Sequence, residues 1–139
     1  MPNLTTVMGH YTSIVPRPDG GVLIAYRDAA IGVRVARVTA GGQVTLVSAT
    51  PAGVPPSQGR FVRLARDPAG LLVLVYASGP TVWTMRSTDP DGAGWLARTT
   101  LAQVGEATGC GLAVDASGAA HVTFQDASSG ASRYVRDCP

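Results

Sequence analysis

The sequence predicts an all-β chain built from a repeated four-stranded unit of the β-propeller type. Charged residues make up 14% of the 139 residues, while there are 17 glycines and 10 prolines, a balance that disfavours a helical bundle. Three segments align without a gap at offsets of 50 and 48 residues. No segment between the predicted turns keeps a helical period over about ten residues. A hydrophobic content of 45% excludes a disordered chain.

The three aligned segments begin at Arg17, Asp67 and Asp115 and share three columns. Each has a glycine at a turn, an aromatic residue six positions later, and Asp or Ser two positions after that. These columns are Gly20, Gly70 and Gly118; Tyr26, Tyr76 and Phe124; and Asp28, Ser78 and Asp126. Because glycine adopts a positive φ at low steric cost, each segment predicts a β-hairpin.

Each unit also contains the remaining strands of a four-stranded sheet. The second strands are unbroken apolar runs in the first two units, which is typical of strands covered on both faces. The predicted strands are 13–15, 22–26, 32–37 and 43–47 in the first unit and 62–65, 71–76, 81–86 and 95–101 in the second. In the third unit they are 112–114 and 132–136, with a second strand after the turn at Gly118. The third unit has no predicted fourth strand.

We predict a single β-propeller-repeat domain over residues 1–139, with units at about 10–49, 58–103 and 107–139 and an additional N-terminal strand at 4–7. Three blades are too few for a closed ring, since propellers have roughly 4 to 8. The simplest completion is a homodimer with six blades, in which each N-terminal strand completes the other copy's third unit. A protein partner, or a larger propeller of which this chain is a piece, is the alternative.

Two further expectations concern the interior and the thiols. Packing between blades should bury the repeated apolar column: Ile24, Tyr26, Leu72, Leu74, Val122 and Phe124. Cys110 and Cys138 should not bond within one chain, because they fall at opposite ends of strands that lie two positions apart in an up-and-down sheet.

The last 45 or so residues resemble a family of bacterial propeller repeats similar to the sialidase-type repeats. The family pattern is found here in Gly94-Trp95, Leu112-Ala113-Val114-Asp115, Gly118, His121-Val122-Thr123-Phe124-Gln125-Asp126 and Tyr134-Val135-Arg136. The first two repeats depart from it, with Leu23, Ala25, Val73 and Val75 in the His and Ser/Thr columns. The resemblance implies a propeller in an extracellular, cell-surface or periplasmic setting, although residues 1–10 contain no signal peptide. It implies no single activity.

Candidate ligand-binding residues gather at one predicted face of the propeller. Asp28, Ser78 and Asp126 end the second strands, and the inner strands begin near the same edge. Each Asp or Ser is expected either to accept backbone N–H groups in the following turn or to join a ring of acceptors for a sugar or a cation. The candidate ligand-binding residues are His10, Tyr11, Asp28, Arg60, Ser78 and Asp126.

Several classes of function are disfavoured by composition and motifs. The net charge of +2 gives no reason to expect a nucleic-acid partner, and no apolar run is long enough for a transmembrane segment. His10 and His121 lie far apart, and no Cys or His has metal-ligand spacing, so neither metal nor cofactor is expected. Glycosidases use two placed carboxylates, yet Glu106 is the single glutamate.

We therefore expect a non-catalytic extracytoplasmic binding or scaffold module, which uses a propeller face to bind a carbohydrate or a protein. A structural subunit of a larger assembly is the alternative. A glycosidase-type enzyme whose residues come from two chains at a shared face is the third hypothesis, and the one that the residues favour least.

Overall fold

The computed structural model describes residues 10–28, 32–49 and 59–139. Within these ranges eleven antiparallel strands form three sheets, and there is no helix. The first sheet contains β1 (His10–Pro16), β2 (Val22–Asp28), β3 (Gly32–Val38) and β4 (Val44–Ala49). The second contains β5 (Arg60–Arg66), β6 (Leu72–Ser78), β7 (Thr81–Arg86) and β8 (Thr99–Gln103). The third contains β9 (Ala107–Val114), β10 (Ala120–Asp126) and β11 (Ala131–Asp137).

The strands of each sheet follow one another in chain order, which confirms the predicted all-β class and up-and-down units. The predicted strand at 4–7 lies outside the described residues. No helix in the described ranges is long and apolar enough to cross a membrane.

The predicted turn glycines have the expected geometry in all three repeats. Gly20, Gly70 and Gly118 have φ angles of 80°, 85° and 84°. In each hairpin the glycine N–H donates to the carbonyl three residues earlier, as from Gly70 to Asp67 at 3.0 Å. The repeat is therefore a repeat of backbone conformation as well as of sequence.

The fourth strand of the second sheet begins later than predicted. The prediction of a strand from Trp95 is wrong, because β8 starts at Thr99 and Trp95 forms only an isolated bridge with Ser87. The Asp89 carboxylate accepts the N–H groups of Asp91, Ala93 and Gly94, which holds the chain in a compact loop. The Trp95 indole packs against the core from this loop.

The three sheets pack face to face in chain order. We call the face toward the next sheet the front face and the opposite face the back face. The front face of the first sheet packs on the back face of the second through Leu23, Ala25, Val33 and Val35 against Leu72, Leu74, Tyr76 and Met85. The front face of the second packs on the back face of the third through Val73, Val75, Ala77 and Val82 against Ala120, Val122 and Phe124.

Burial of the predicted apolar column is confirmed for five of its six members: Tyr26, Leu72, Leu74, Val122 and Phe124. The prediction is wrong for Ile24, which is only half-buried. Ile24 lies on the back face of the first sheet, opposite Ile14 and Ala36, and no sheet of the described residues covers that face.

Equivalent arginines on the third strands reach across both sheet interfaces. Arg37, on the first sheet, lies 3.7 Å from the Asp91 carboxylate of the second sheet. Arg86, on the second sheet, donates to the Gly118 carbonyl of the third at 3.0 Å and pairs with Asp137 at 3.6 Å. Each arginine therefore connects its own sheet to a loop or turn of the next.

Both cysteines are free thiols in this structure. Cys110 is buried in β9, and burial raises the pKa of its thiol to about 11, against the opposing effect of the Arg63 charge. Cys138 follows β11 and is exposed.

Leu74→Ala should lower the free energy of unfolding by about 2 to 5 kcal/mol, because the side chain is 2% exposed between the first two sheets. Leu96→Ala is the control, since Leu96 is 55% exposed and its loss should change stability by less than about 0.5 kcal/mol. Urea unfolding measures both. Equal midpoints for the two variants would mean that the strand register is wrong.

Candidate functional site

The inner strand of every sheet is interrupted by a β-bulge at the same repeat position. The pairing register shifts between His10 and Ser13 in β1 and between Arg60 and Arg63 in β5. In β9 the register shifts between Thr108 and Gly111, which pair with Gln125 and Thr123 of β10. The residues that enter the left-handed region are Tyr11, Phe61 and Gly109, with φ angles of 59°, 55° and 61°.

Two of these three positions carry backbone strain. Gly109 adopts a positive φ at little energetic cost. In Tyr11 and Phe61 the clash between Cβ and the backbone raises the conformational energy by about 1–2 kcal/mol each. Bulges and strained residues of this kind concentrate beside functional sites, where they redirect side chains. The bulged edge of β1, β5 and β9 is therefore the candidate site, and we call it the inner edge.

The two strained aromatic residues contact each other across the first two sheets. Their ring centroids lie 4.6 Å apart with an interplanar angle of 52°. Tyr11 is 38% exposed, while Phe61 is half-buried and also packs against the core between the second and third sheets. The bulges thus hold a partly exposed aromatic surface where the first two sheets meet.

Polar groups fix and flank this aromatic pair. Ser13 Oγ accepts the Leu64 N–H at 2.9 Å and so ties β1 to β5 just beyond the bulges. The Arg63 guanidinium donates to the Val62 carbonyl at 2.8 Å, and Arg60 is exposed next to Phe61. Hydrogen-bond donors therefore lie on the same edge as the aromatic rings.

The topology brings the six predicted site residues to this one edge. His10, Tyr11 and Arg60 lie at the bulges, with His10 opposite Arg27 in the β1–β2 pairing. The other three are the final residues of the second strands: Asp28 of β2, Ser78 of β6 and Asp126 of β10. They are not one cluster, since Asp28 pairs with Arg34 at 3.4 Å within its own sheet.

Asp126 is engaged in the turn that follows it. Its carboxylate accepts the Ser128 hydroxyl at 2.6 Å and the Ser129 hydroxyl at 2.9 Å, as well as the Ser128 N–H. These hydrogen bonds to Ser128 and Ser129 lower the pKa of Asp126 to about 2, against the opposing effect of burial. This is the turn-capping arrangement that the sequence suggested as one of two roles for the column.

One carboxylate remains uncommitted at the inner edge. All nine acidic residues lie within the described ranges. Eight of them hold turns or ion pairs: Asp19, Asp28, Asp67, Asp89, Asp91, Asp115, Asp126 and Asp137. Glu106 is exposed directly before β9, and its side chain forms no hydrogen bond or ion pair among the described residues.

The residues of the family-like motif form a network at the other end of the third sheet. His121 Nε2 lies 2.9 Å from Asp115 Oδ2, and its Nδ1 lies 2.8 Å from the Tyr134 hydroxyl. Arg136 donates to the same Asp115 oxygen at 3.3 Å. Hydrogen bonds from Ser117 and His121 hold the pKa of Asp115 well below its usual range. The network ties the β9–β10 turn to β11.

No group of three or more His, Cys, Asp or Glu side chains in the described part of the chain is arranged to hold a metal ion.

The bulges and Phe61 were not predicted from the sequence. A signal for them exists, because Gly109 stands in the repeat column of Tyr11 and Phe61. A glycine in an otherwise aromatic column indicates a positive φ.

No protein-family model matches the chain, and neither does any curated protein. Solved structures do match. The α-L-arabinofuranosidase Arb93A of Fusarium graminearum superposes with a TM-score of 0.71 at 15% identity, over 92% of this chain and 44% of that one. The chain folds as part of a β-propeller.

Two further solved structures show the same fold. An engineered GH43 glycoside hydrolase with endo-xylanase and exo-arabinofuranosidase activity matches with a TM-score of 0.60 at 20% identity, over 92% of this chain and 26% of that one. An α-L-arabinofuranosidase of Lactobacillus brevis gives 0.56 at 13%, over 95% and 49%. This chain therefore spans less than half of each protein.

The expectation of a non-catalytic binding or scaffold module, and of no enzymatic role, is contradicted by these matches. The propellers that the chain resembles are glycoside hydrolases. The expectation depended on finding too few placed carboxylates in one chain. Because the chain corresponds to less than half of a hydrolase propeller, its own carboxylates need not be the complete set.

Asp126 should give the fold an acid-sensitive contribution. Its pKa is lowered from 3.8 to about 2 on folding, so the stabilisation is complete above pH 4 and is lost as the pH falls through about 2. The difference in unfolding midpoint between the parent chain and Asp126→Asn should therefore shrink from pH 5 to pH 2. A difference that stays constant over this range would contradict the assigned hydrogen bonds.

Proposed function

We propose that the chain forms part of a glycoside-hydrolysing β-propeller and that its inner edge binds the sugar. The observation that carries this proposal is the Tyr11–Phe61 pair, which strained bulges hold partly exposed at the inner edge. The match to an α-L-arabinofuranosidase propeller supports the choice of a carbohydrate ligand.

The inner edge has the chemistry that sugar recognition needs. A furanose or pyranose ring presents an apolar C–H face, which packs on aromatic rings, and a rim of hydroxyl groups. Tyr11 and Phe61 offer the aromatic surface, and Arg60 offers hydrogen-bond donors beside it. The names of the similar enzymes point to oligosaccharides that contain arabinose or xylose as the substrate class.

Glu106 is our candidate for one of the two carboxyl groups of the reaction. In glycoside hydrolysis one carboxyl group protonates the departing glycosidic oxygen, while the other activates water or attacks the sugar. Glu106 is exposed at the inner edge without a side-chain partner in the described residues. We place the second carboxylate on blades beyond the three sheets of this chain, because the other eight acidic residues already hold turns or ion pairs.

We also propose that the third sheet is a repeat of the sialidase-like class. The Asp115–His121–Tyr134 hydrogen bonds and the ion pair from Arg136 support this, since they link motif residues that lie far apart in the sequence. The network gives these residues a structural role in the blade. An extracytoplasmic setting stays a prediction from the resemblance.

Titration with an arabino-oligosaccharide, followed calorimetrically, tests the binding surface. Tyr11→Ala should weaken binding by about ten-fold, because one face of the aromatic pair is lost. Tyr11→Phe keeps the ring and should bind as the parent chain does, which separates stacking from damage to the fold. Binding that is unchanged in Tyr11→Ala would place the sugar elsewhere.

Release of 4-nitrophenol from aryl arabinofuranosides, xylosides and galactosides tests the chemistry. Glu106→Gln should abolish hydrolysis and leave oligosaccharide binding nearly intact. Asp137→Asn is the matched control, since it removes a carboxylate at the opposite edge that pairs with Arg86. Undiminished hydrolysis by Glu106→Gln would exclude Glu106 from catalysis, and a complete propeller containing this chain that hydrolyses none of the three classes would refute the proposed activity.

A further inference from the structure

We propose that Gly109 leaves an opening in the aromatic row of the inner edge, and that this opening holds a single furanose ring beside Glu106. The inference rests on the proposed function, because it places one sugar ring within the proposed binding surface. It goes further in assigning that ring to β9, next to the Tyr11–Phe61 pair rather than on top of it.

One column of the repeat keeps its backbone conformation and changes its side chain. Tyr11, Phe61 and Gly109 have φ angles of 59°, 55° and 61°, so the three bulges share one left-handed conformation. The first two bulges carry an aromatic ring on a strained backbone, whereas the third carries no side chain. The sequence of β9 itself therefore interrupts the aromatic row.

The space beside Gly109 is open among the described residues. A Cβ atom built on Gly109 has no heavy atom within 4 Å apart from those of its chain neighbours, and the residue is exposed. Two nearby glycines differ, since a Cβ at Gly105 would clash with Ser128 and one at Gly111 would clash with Thr123. Close packing explains those two glycines but not Gly109. Strain alone does not require a glycine there either, because the equivalent bulges hold aromatic residues.

Phe61 borders this opening on one side. Its ring lies 4.6 Å from that of Tyr11, and it also packs against the core between the second and third sheets, which includes Cys110. The second and third sheets pack front face to back face, as the first and second do. A ring at Gly109 would therefore lie against Phe61 as Phe61 lies against Tyr11. A ligand in the opening has the same aromatic ring to pack on.

The opening has the size and the chemistry for one furanose ring. A furanose is small and nearly flat and has an apolar C–H face, so it can pack against Phe61 where a phenyl ring would otherwise lie. Arg60 is exposed next to Phe61 and offers hydrogen-bond donors to the sugar hydroxyl groups. Because one aromatic position of the column is missing, the opening accommodates one sugar ring rather than an extended chain.

The backbone on both sides of the Glu106 side chain is fixed. The Glu106 carbonyl accepts the Ala127 N–H at 2.8 Å, from the turn after β10. The next amide, that of Ala107, donates to the Gly79 carbonyl of the β6–β7 turn at 3.0 Å. Gly109 follows Glu106 by three residues, at most about 10 Å along an extended chain. A sugar ring in the opening would bridge most of that distance, which places its glycosidic oxygen on the side of the carboxyl group.

Calorimetric titration with methyl α-L-arabinofuranoside, which has one sugar ring, tests the opening in a complete propeller containing this chain. Gly109→Tyr fills the opening with the side chain that Tyr11 carries at nearly the same φ, and should weaken binding by about ten-fold or more. Gly42→Tyr is the matched control. Gly42 also has a positive φ and open space around it, but it lies in the β3–β4 turn at the opposite edge, so binding should equal that of the parent.

Two further variants separate loss of the opening from damage to the fold. Gly109→Ala introduces similar backbone strain with only a methyl group, so it should weaken binding much less than Gly109→Tyr and unfold at a similar urea concentration. Phe61→Leu removes the aromatic wall but keeps an apolar side chain in the core, and should also weaken binding of the single ring. Circular dichroism shows whether each variant keeps its β-sheet content.

The outcomes distinguish this inference from the proposed function. Weaker binding in Gly109→Tyr and Phe61→Leu, but not in Gly42→Tyr, is the expected result. If the parent binds arabino-oligosaccharides and a folded Gly109→Tyr or Phe61→Leu variant keeps the parent's affinity for the single ring, the opening is not its binding place and the proposed function stands. A parent propeller that binds neither the single ring nor an oligosaccharide would overturn both.

Discussion

The fold depends on one constraint, which is that the second strand of a sheet is buried along nearly its whole length where a neighbouring sheet covers each of its faces. β6 meets this condition, and six of its seven residues are buried. The first and third sheets each have one face covered and one open. Apolar side chains drive this stacking, and the arginines that cross to the next sheet add polar contacts between neighbours. The stacking is what gathers the inner strands along one edge.

The candidate site is a product of that gathering. A bulge at one repeat position would redirect a single side chain, but packing in register places Tyr11 and Phe61 in contact although they lie 50 residues apart. Their strained backbone is tolerated because Ser13 and the surrounding core hold the inner strands together. The packing of the first sheet on the second, rather than any local motif, creates the aromatic surface.

Sequence reasoning succeeded where a residue acts locally. The turn glycines and the aromatic column predicted the hairpins and most of the core, since φ and burial on a covered strand depend on near neighbours. It failed where the outcome depends on other parts of the fold. Asp89 converted the first half of a predicted strand into a loop, and no sheet among the described residues covers Ile24. The functional prediction failed for the same reason, because carboxylates were counted in one chain while the similar propellers are about twice as long.

Hydrogen exchange at β6 tests most directly the claim that this strand is buried because a sheet covers each of its faces. Amides in a peptide covering 72–78 should exchange much more slowly than those in a peptide covering 99–103, since β8 has an open outer edge among the described residues. Val75→Ala removes a fully buried side chain at the contact with the third sheet and should speed exchange over 72–78. Exchange in β6 of the parent chain as fast as in β8 would contradict the account.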